Sequence, residues 1–210
     1  MATPKPKPKP KPKPKPAPAP ELGPESRLAG AALKRLAKTP WHNLTLAAVA
    51  KSARLSLLEV QPVAASKSAL IGLILRRIGQ DASTRYKPES GAARDRLFDV
   101  AMCWFDVLAP HKPAVRALYD GLRRDPLSLL AARDGILEAA NWLLVLAEAD
   151  TGPALPLRAL GLAAALGRAI PVWLDDGADM ARTMAQLDTD LSRGETLVNR
   201  MHGSKNRNED

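Results

Sequence analysis

The sequence predicts an all-α fold, and three observations carry that expectation. Alanine and leucine dominate the 210 residues while aromatic residues make up only 4%, a balance that favours helix over sheet. Apolar residues recur at three- and four-residue spacing, and no stretch alternates strictly as a half-buried strand would. Ser, Thr, Asn or Asp stands before the periodic stretches, and Pro or Gly breaks them.

The N-terminal stretch is the exception. Residues 4–20 read Pro-Lys six times and then Pro-Ala-Pro-Ala-Pro. Proline at every second position forbids helix and sheet, and nothing there is apolar enough to pack. Residues 1–22 are therefore expected to be an extended, disordered spacer, or a cationic arm along phosphates or acidic lipid heads. The polar residues 196–210 are expected to be a second disordered tail.

Between the tails, some nine helices are predicted. Leu28, Ala31, Ala32, Leu36 and Ala37 share one face of a first helix that Pro40 ends. Asn43-Leu44-Thr45 caps a short second helix carrying Leu46, Val49, Ala50 and Ala53. Ser56 with Glu59 three residues later fits a capping box opening a third helix, which meets Pro62 in its second turn. Ser66 is expected to cap a fourth helix through Leu70, Leu73, Ile74 and Arg77. In the rear half the predicted helices span about 93–108 and 113–124. A long helix from Asp125-Pro126 to about Ala149 follows, then helices over about 156–174 and 178–193. Pro171 is expected to kink the penultimate helix near its end.

Charge is unevenly placed along the chain, which carries +9 overall. Residues 1–20 hold six Lys and no acid, residues 21–86 ten Lys+Arg against four acids, and residues 87–210 fifteen against eighteen. A basic front and a mildly acidic rear suggest a polyanion-binding half and a half with another task. The lone Cys103 excludes a disulfide framework, and no cysteine–histidine cluster offers a zinc site. No uninterrupted apolar run reaches the roughly 18 residues of a membrane span, and no apolar core follows the charged N-terminus as in a secretory signal. A cytoplasmic protein without an integral membrane span is the expectation. No nucleophile–base pair, glycine-rich phosphate loop or paired-carboxylate motif is present, so no enzymatic activity and no cofactor are expected.

Three short helices with a tight turn between the second and third form a helix-turn-helix pattern, placed in the basic front half. Residues 31–70 resemble, without gaps, the N-terminal domain of TetR-type transcriptional regulators. The likeness rests on Ala31-Ala32-Leu33, Trp41, Thr45, Val49-Ala50, Ala53, Ser56 and the Ser66-Lys67-x-Ala69-Leu70 opening of the fourth helix. It implies a DNA-binding domain at 23–66 followed by a helical ligand-binding and dimerisation domain at 67–195. It also implies an operator DNA partner, a homodimer joined by the last two helices, and a small apolar effector. Phosphate contacts would fall on Thr45 and Lys67, and base contacts on the third helix, residues 57–62.

That third helix departs from the family. The regulators usually show Lys-Gly-Thr-Leu-Tyr, then His-Phe, where this chain has Leu57, Leu58, Glu59, Val60, Gln61, Pro62, Val63 and Ala64. A proline inside a helix costs about 3 kcal/mol, so the helix should be about one and a half turns or kinked. Glu59 repels phosphate and accepts only from cytosine N4, whereas Gln61 suits bidentate adenine recognition. Leu57 and Leu58 can meet thymine methyls, although packing inward is the simpler expectation. Ser56, Leu57, Glu59 and Gln61, with Thr45 and Lys67, make up the candidate DNA-contacting set.

A second resemblance concerns the last helices. Arg158-Ala159-Leu160, Val172-Trp173-Leu174-Asp175-Asp176 and Thr183-Met184-Ala185-Gln186-Leu187-Asp188 are similar to lipid-binding accessory proteins of ubiquinone biosynthesis built on the same scaffold. That likeness implies a lipid ligand and lost DNA reading. Trp104, Trp142 and Trp173 are candidates for lining an apolar ligand pocket, against the plainer reading of core packing. Cys103 is expected to be inert, and His42, His111 and His202 to be surface or capping residues. Asp175, Asp176 and Asp179 read as turn and cap residues.

Overall fold

The structure is a computed structural model that describes residues 23–206 apart from Glu89 and Pro153. The Pro/Lys tail expected at 1–22 and the last residues, 207–210, lie outside the described residues. Among the described residues there are ten α-helices, two 3₁₀ turns and no strand. The chain is all-α.

The helices are α1 (Pro24–Leu36), α2 (Leu46–Ala53), α3 (Leu57–Val60), α4 (Ala69–Arg85), α5 (Ala93–Leu108), α6 (Lys112–Leu122), α7 (Pro126–Ala131), α8 (Arg133–Leu146), α9 (Leu155–Leu174) and α10 (Ala181–Asn206). The 3₁₀ turns are Trp41–Asn43 and Ala109–His111. Helix α4 joins the two halves. It packs on α1 in front and on α5 and α8 behind, and α9 lies between α8 and α10.

One continuous core runs through both halves. In front it is built from the faces read in the sequence: Leu28, Ala32 and Leu36 of α1 against Val49, Ala50 and Leu70. Behind, Val100, Ala101, Trp104 and Leu108 of α5 are buried against Leu143, Leu144, Ala169 and Trp173. The α4–α8 crossing depends on paired glycines. A Cβ on Gly135 would lie 2.7 Å from the Gly72 Cα, so only glycine permits that approach.

Four expectations need correction. The long helix opened by Asp125-Pro126 is two helices, broken at the buried Ala132. The N–H of Ala132 is shared by the carbonyls of Ser128 and Leu129, and its backbone relaxes to φ −90°, ψ −4°. That bend lets α7 follow α6 while α8 lies along α4. The fourth helix begins at Ala69, and Ser66 caps a preceding turn, its Oγ accepting from Ala69 N at 3.2 Å. The last helix runs to Asn206 instead of ending near 193, since no proline stops it and propagation adds a bond per residue.

The fourth concerns α9. Its 18-residue window has a mean hydropathy of 1.4, so by length and composition it passes for a membrane span. Counting uninterrupted apolar runs missed it, because Arg158 and Arg168 break the run. Both arginines bond within the bundle, to the carbonyls of Ala149 and Thr151 and to Asp190. Ala159, Leu162, Ala169 and Trp173 are buried there as well, so one face of α9 packs in the core while the other is exposed.

Candidate nucleic-acid interface

The helix-turn-helix is held together mostly by bonds between residues close in sequence. Thr45, in extended backbone, accepts from Ala48 N at 3.2 Å and caps α2. Ser56 Oγ accepts from Glu59 N at 3.3 Å, and Glu59 Oε2 accepts from Ser56 N at 2.8 Å. That completes the capping box at the start of α3. The bond from the Ser56 N–H, then that from its hydroxyl, holds the exposed Glu59 carboxyl below its usual range. Glu59 is thus ionised and tied to its own helix.

The turn between α2 and α3 closes on Arg54, whose φ of 55° is left-handed. Leu55 N donates to Ala50 O at 3.0 Å, the long bond that ends a helix through a left-handed residue. Arg27 of α1 locks the turn from behind, its Nη2 donating to the carbonyls of Ala53 at 2.8 Å and Arg54 at 2.9 Å. Sequence reading missed Arg27, because its partners lie some 26 residues away.

Helix α3 is one turn long, as Pro62 requires. Val60 faces inward and is buried, whereas Ser56, Leu57, Leu58, Glu59 and Gln61 are exposed. The inward packing expected for the leucines is wrong: Leu57 is 59% and Leu58 84% exposed. With Val60 and Leu55 anchoring a single turn, positions 57 and 58 fall on its outer side. Exposed Lys51 lies in the last turn of α2, and exposed Arg54 follows the helix end. The structure therefore brings Ser56, Leu57, Glu59 and Gln61 onto one short solvent-facing element, with Thr45 exposed at the start of α2.

Lys67 has a different setting. It is half-buried, its Nζ donating to the Trp41 carbonyl at 2.9 Å and lying 4.4 Å from the centre of the Trp41 ring. The fully buried Trp41 donates through Nε1 to Asp125 Oδ2 at 3.4 Å, and Asp125 Oδ1 accepts from Ser128 N and caps α7. Bonds from Ser128, with lesser help from Trp41 and Lys67, hold the Asp125 carboxyl below its usual range. Gly121 of α6 closes this joint, since a Cβ there would stand 2.2 Å from the Trp41 Cβ. Lys67, Trp41 and Asp125 thus bolt the front domain to the rear bundle.

The three candidate pocket tryptophans are not brought together. Trp104 and Trp173 are buried on either side of Phe105, with ring centroids 5.2 and 5.6 Å from it. Both indole N–H groups are buried without a hydrogen-bond partner. Trp142 is half-exposed and donates to Ser83 Oγ at 3.0 Å on the α4 side. The cavity in the rear domain lies elsewhere, between α5, α8, α9 and α10. At the α9–α10 turn, Asp175 pairs with Arg116, and Asp176 Oδ2 accepts from both the N–H and the hydroxyl of Thr183. Cys103 is half-buried, and burial pushes its thiol up, away from reactivity.

No protein-family model matches the chain, and no curated protein matches it. Solved structures do. The TetR transcriptional regulator from Nitrosomonas europaea ATCC 19718 superposes with a TM-score of 0.57 at 17% identity, covering 81% of this chain and 97% of its own. A TetR-family transcriptional regulator from Streptomyces coelicolor gives 0.49 at 23% identity, over 83% of this chain and 81% of its own. With the basic helix-turn-helix in front, α4 as connector and a helical bundle behind, the chain has the TetR-type fold.

Proposed function

We propose that this chain is a TetR-like transcriptional regulator, a cytoplasmic homodimer that binds operator DNA and has no enzymatic role. The observation that carries the reading is the outward display of Leu57, Leu58, Glu59 and Gln61 on a locally capped α3. Leaving two leucines in water forgoes about 1.5–3 kcal/mol each relative to burial, so the display calls for a partner. In a major groove they meet thymine methyls, Gln61 reads adenine, and the free oxygen of Glu59 accepts from cytosine N4. Thr45 and the exposed Lys51 and Arg54 supply phosphate contacts, which set affinity without reading sequence. Lys67 has its remaining N–H groups for a phosphate while it holds Trp41.

Dimerisation has its own support. Leu160, Ala164 and Gly167 recur at helical spacing on α9 and are all exposed, and Met184 of α10 is exposed as well. A Cβ on Gly167 meets nothing within 4 Å, which leaves room for a second helix to approach.

The test is selection of bound fragments from random DNA, followed by Leu58→Ala and Gln61→Ala. Both side chains are exposed, so stability should stay within about 0.5 kcal/mol. Gln61→Ala should alter preference at one base pair, by about 1–3 kcal/mol. Leu58→Ala should weaken the selected sequence more than random DNA. No enriched sequence, or equal losses on cognate and random DNA, overturns the reading. Co-purified isoprenoid lipid in place of DNA turns it towards the lipid-binding accessory proteins.

A further inference from the structure

The joint between the two halves sets a second group of cations beside the helix-turn-helix. Trp41, with Lys67 against its ring and Asp125 at its indole N–H, lines a groove of about 470 Å³ between the end of α1 and α6. Pro40, Pro113 and Ala117 give the groove an apolar wall, and the exposed Lys38, His42 and Arg124 line it as well. His42 stands three residues before Thr45, so the groove adjoins the phosphate contacts proposed at the starts of α2 and α4.

The cations of this corner are uncommitted. Arg96, Arg116, Arg158 and Arg168 of the rear bundle each hold a carbonyl or a carboxylate. Arg123 and Arg124, between α6 and α7, are exposed and form no ion pair among the described residues. Arg123 only lies over the Tyr119 ring, 5.6 Å from its centre. Lys38, just past the end of α1, is exposed and unpaired in the same way.

The acids here do not cancel them. Asp125 is occupied by the Ser128 N–H and the Trp41 indole, with the Lys67 charge acting on it. Asp120, one turn before Arg124, is exposed, and its single charge offsets one arginine. Lys38 and the other arginine are left over, so the corner is positive. A duplex carries one phosphate charge per about 1.7 Å of its axis, so a backbone that reaches Thr45 and Lys67 continues past them. Exposed cations that meet it gain by counterion release and give up little hydration.

We infer that Lys38, Arg123 and Arg124 extend the nucleic-acid interface onto the rear domain, where they bind phosphates flanking those met by the helix-turn-helix. The inference deepens the regulator reading and rests on it only for DNA being the partner. It gives a DNA contact to the half of the chain whose charge balance suggested another task. Because Arg123 and Arg124 belong to the rear bundle, bound DNA then spans both sides of the Trp41 joint.

The test is the affinity of the full-length protein for a random-sequence duplex, measured between about 50 and 200 mM salt. In Arg123→Ala/Arg124→Ala the slope of log affinity against log salt should fall by about two, and affinity at low salt by about tenfold. Lys38→Ala should lower the slope by about one. Asp120→Asn removes the opposing carboxylate and should tighten binding about twofold. Arg85→Ala/Lys87→Ala strips the same charge from the far end of α4, about 25 Å from Lys67, and should leave the slope unchanged. Each of these side chains is exposed, so the variants should keep the wild-type unfolding midpoint. An unchanged slope in the arginine variant, an equal fall in the α4 control, or weaker binding by Asp120→Asn overturns the inference; the first assigns the corner to an acidic protein partner instead. A wild type that binds no duplex sinks both this inference and the regulator reading. A slope that falls as expected while no sequence is enriched sinks the regulator reading alone.

Discussion

The two halves of this molecule hold their helix ends in different ways. In the helix-turn-helix, α2 and α3 are capped by side chains one turn away, from Thr45 and from the reciprocal pair Ser56 and Glu59. In the rear bundle, α5, α6, α8 and α9 have no side-chain cap at their first turn. At the far ends of α8 and α9, distant cations instead satisfy the carbonyls. Arg96 of α5 donates to Ala147 O and Glu148 O beyond α8, while Arg116 and Lys112 of α6 donate to Leu174 O and Asp176 O at the end of α9. Cations suit the negative ends of helix dipoles, so each bond is both a cap and a charge match. The starts of α2 and α3 are thus fixed locally, although Arg27 closes the end of α2 from some 26 residues away, whereas the rear bundle relies on tertiary packing at both ends of α8 and α9.

Helix α7 tests that contrast from inside the bundle. Its cap, Asp125, is local, yet the same carboxylate receives the indole N–H of Trp41 from the front domain. The joint between the halves is built where a local device is shared with a distant partner.

The largest expected effect comes from filling that joint. Gly121→Ala places a methyl where the Trp41 Cβ already stands, and it should cost about 3 kcal/mol in urea unfolding. If it is tolerated with Trp41 fluorescence unchanged, the joint is looser than described. Next is Arg96→Ala, which strips bonds from Ala147 O and Glu148 O and should cost about 2–3 kcal/mol. Ser56→Ala removes one exposed local cap and should cost about 1 kcal/mol. A larger loss for Ser56→Ala than for Arg96→Ala would reverse the contrast between the halves.

Arg54→Gly should act in the opposite direction. It relieves a left-handed backbone without touching the core, and should raise stability by about 1 kcal/mol. Smallest is a pH effect at the capping box. The folded pKa of Glu59 is lowered by the bonds from Ser56, so its contribution is complete above the ordinary glutamate value of about 4.3. That contribution is lost as pH falls through the lower folded value. Between about pH 6 and pH 3, the wild type should lose more stability than Glu59→Gln, read as the shift in unfolding midpoint. Identical losses would show that Glu59 contributes nothing in the folded state.

Much of this fold was legible because helices announce themselves over short stretches. The faces of α1, α2 and α5, the capping box at Ser56, the Asp125-Pro126 start and a third helix cut short near Pro62 all follow from residues within about four positions of one another. The candidate interface was legible to the same depth, since Thr45, Ser56 and Gln61 stand where their local pattern puts them. Leu57 and Leu58 were misjudged because hydrophobicity alone argues for burial, and only the anchoring of α3 by Val60 and Leu55 decides which side of one turn faces out.

The sequence by itself determined the all-α class, the capped helix-turn-helix and the basic front, because these depend on hydrogen bonds and periodicities within a turn or two. The tertiary structure alone decided the break at Ala132, the glycine contacts at Gly72–Gly135 and Gly121–Trp41, and the arginine bonds that cap distant helix ends. It also moved the open space of the rear bundle away from the tryptophans. Each of these depends on which surfaces meet across 26 or more residues, or on the volume left between packed helices, and neither is written in the spacing of neighbours along the chain.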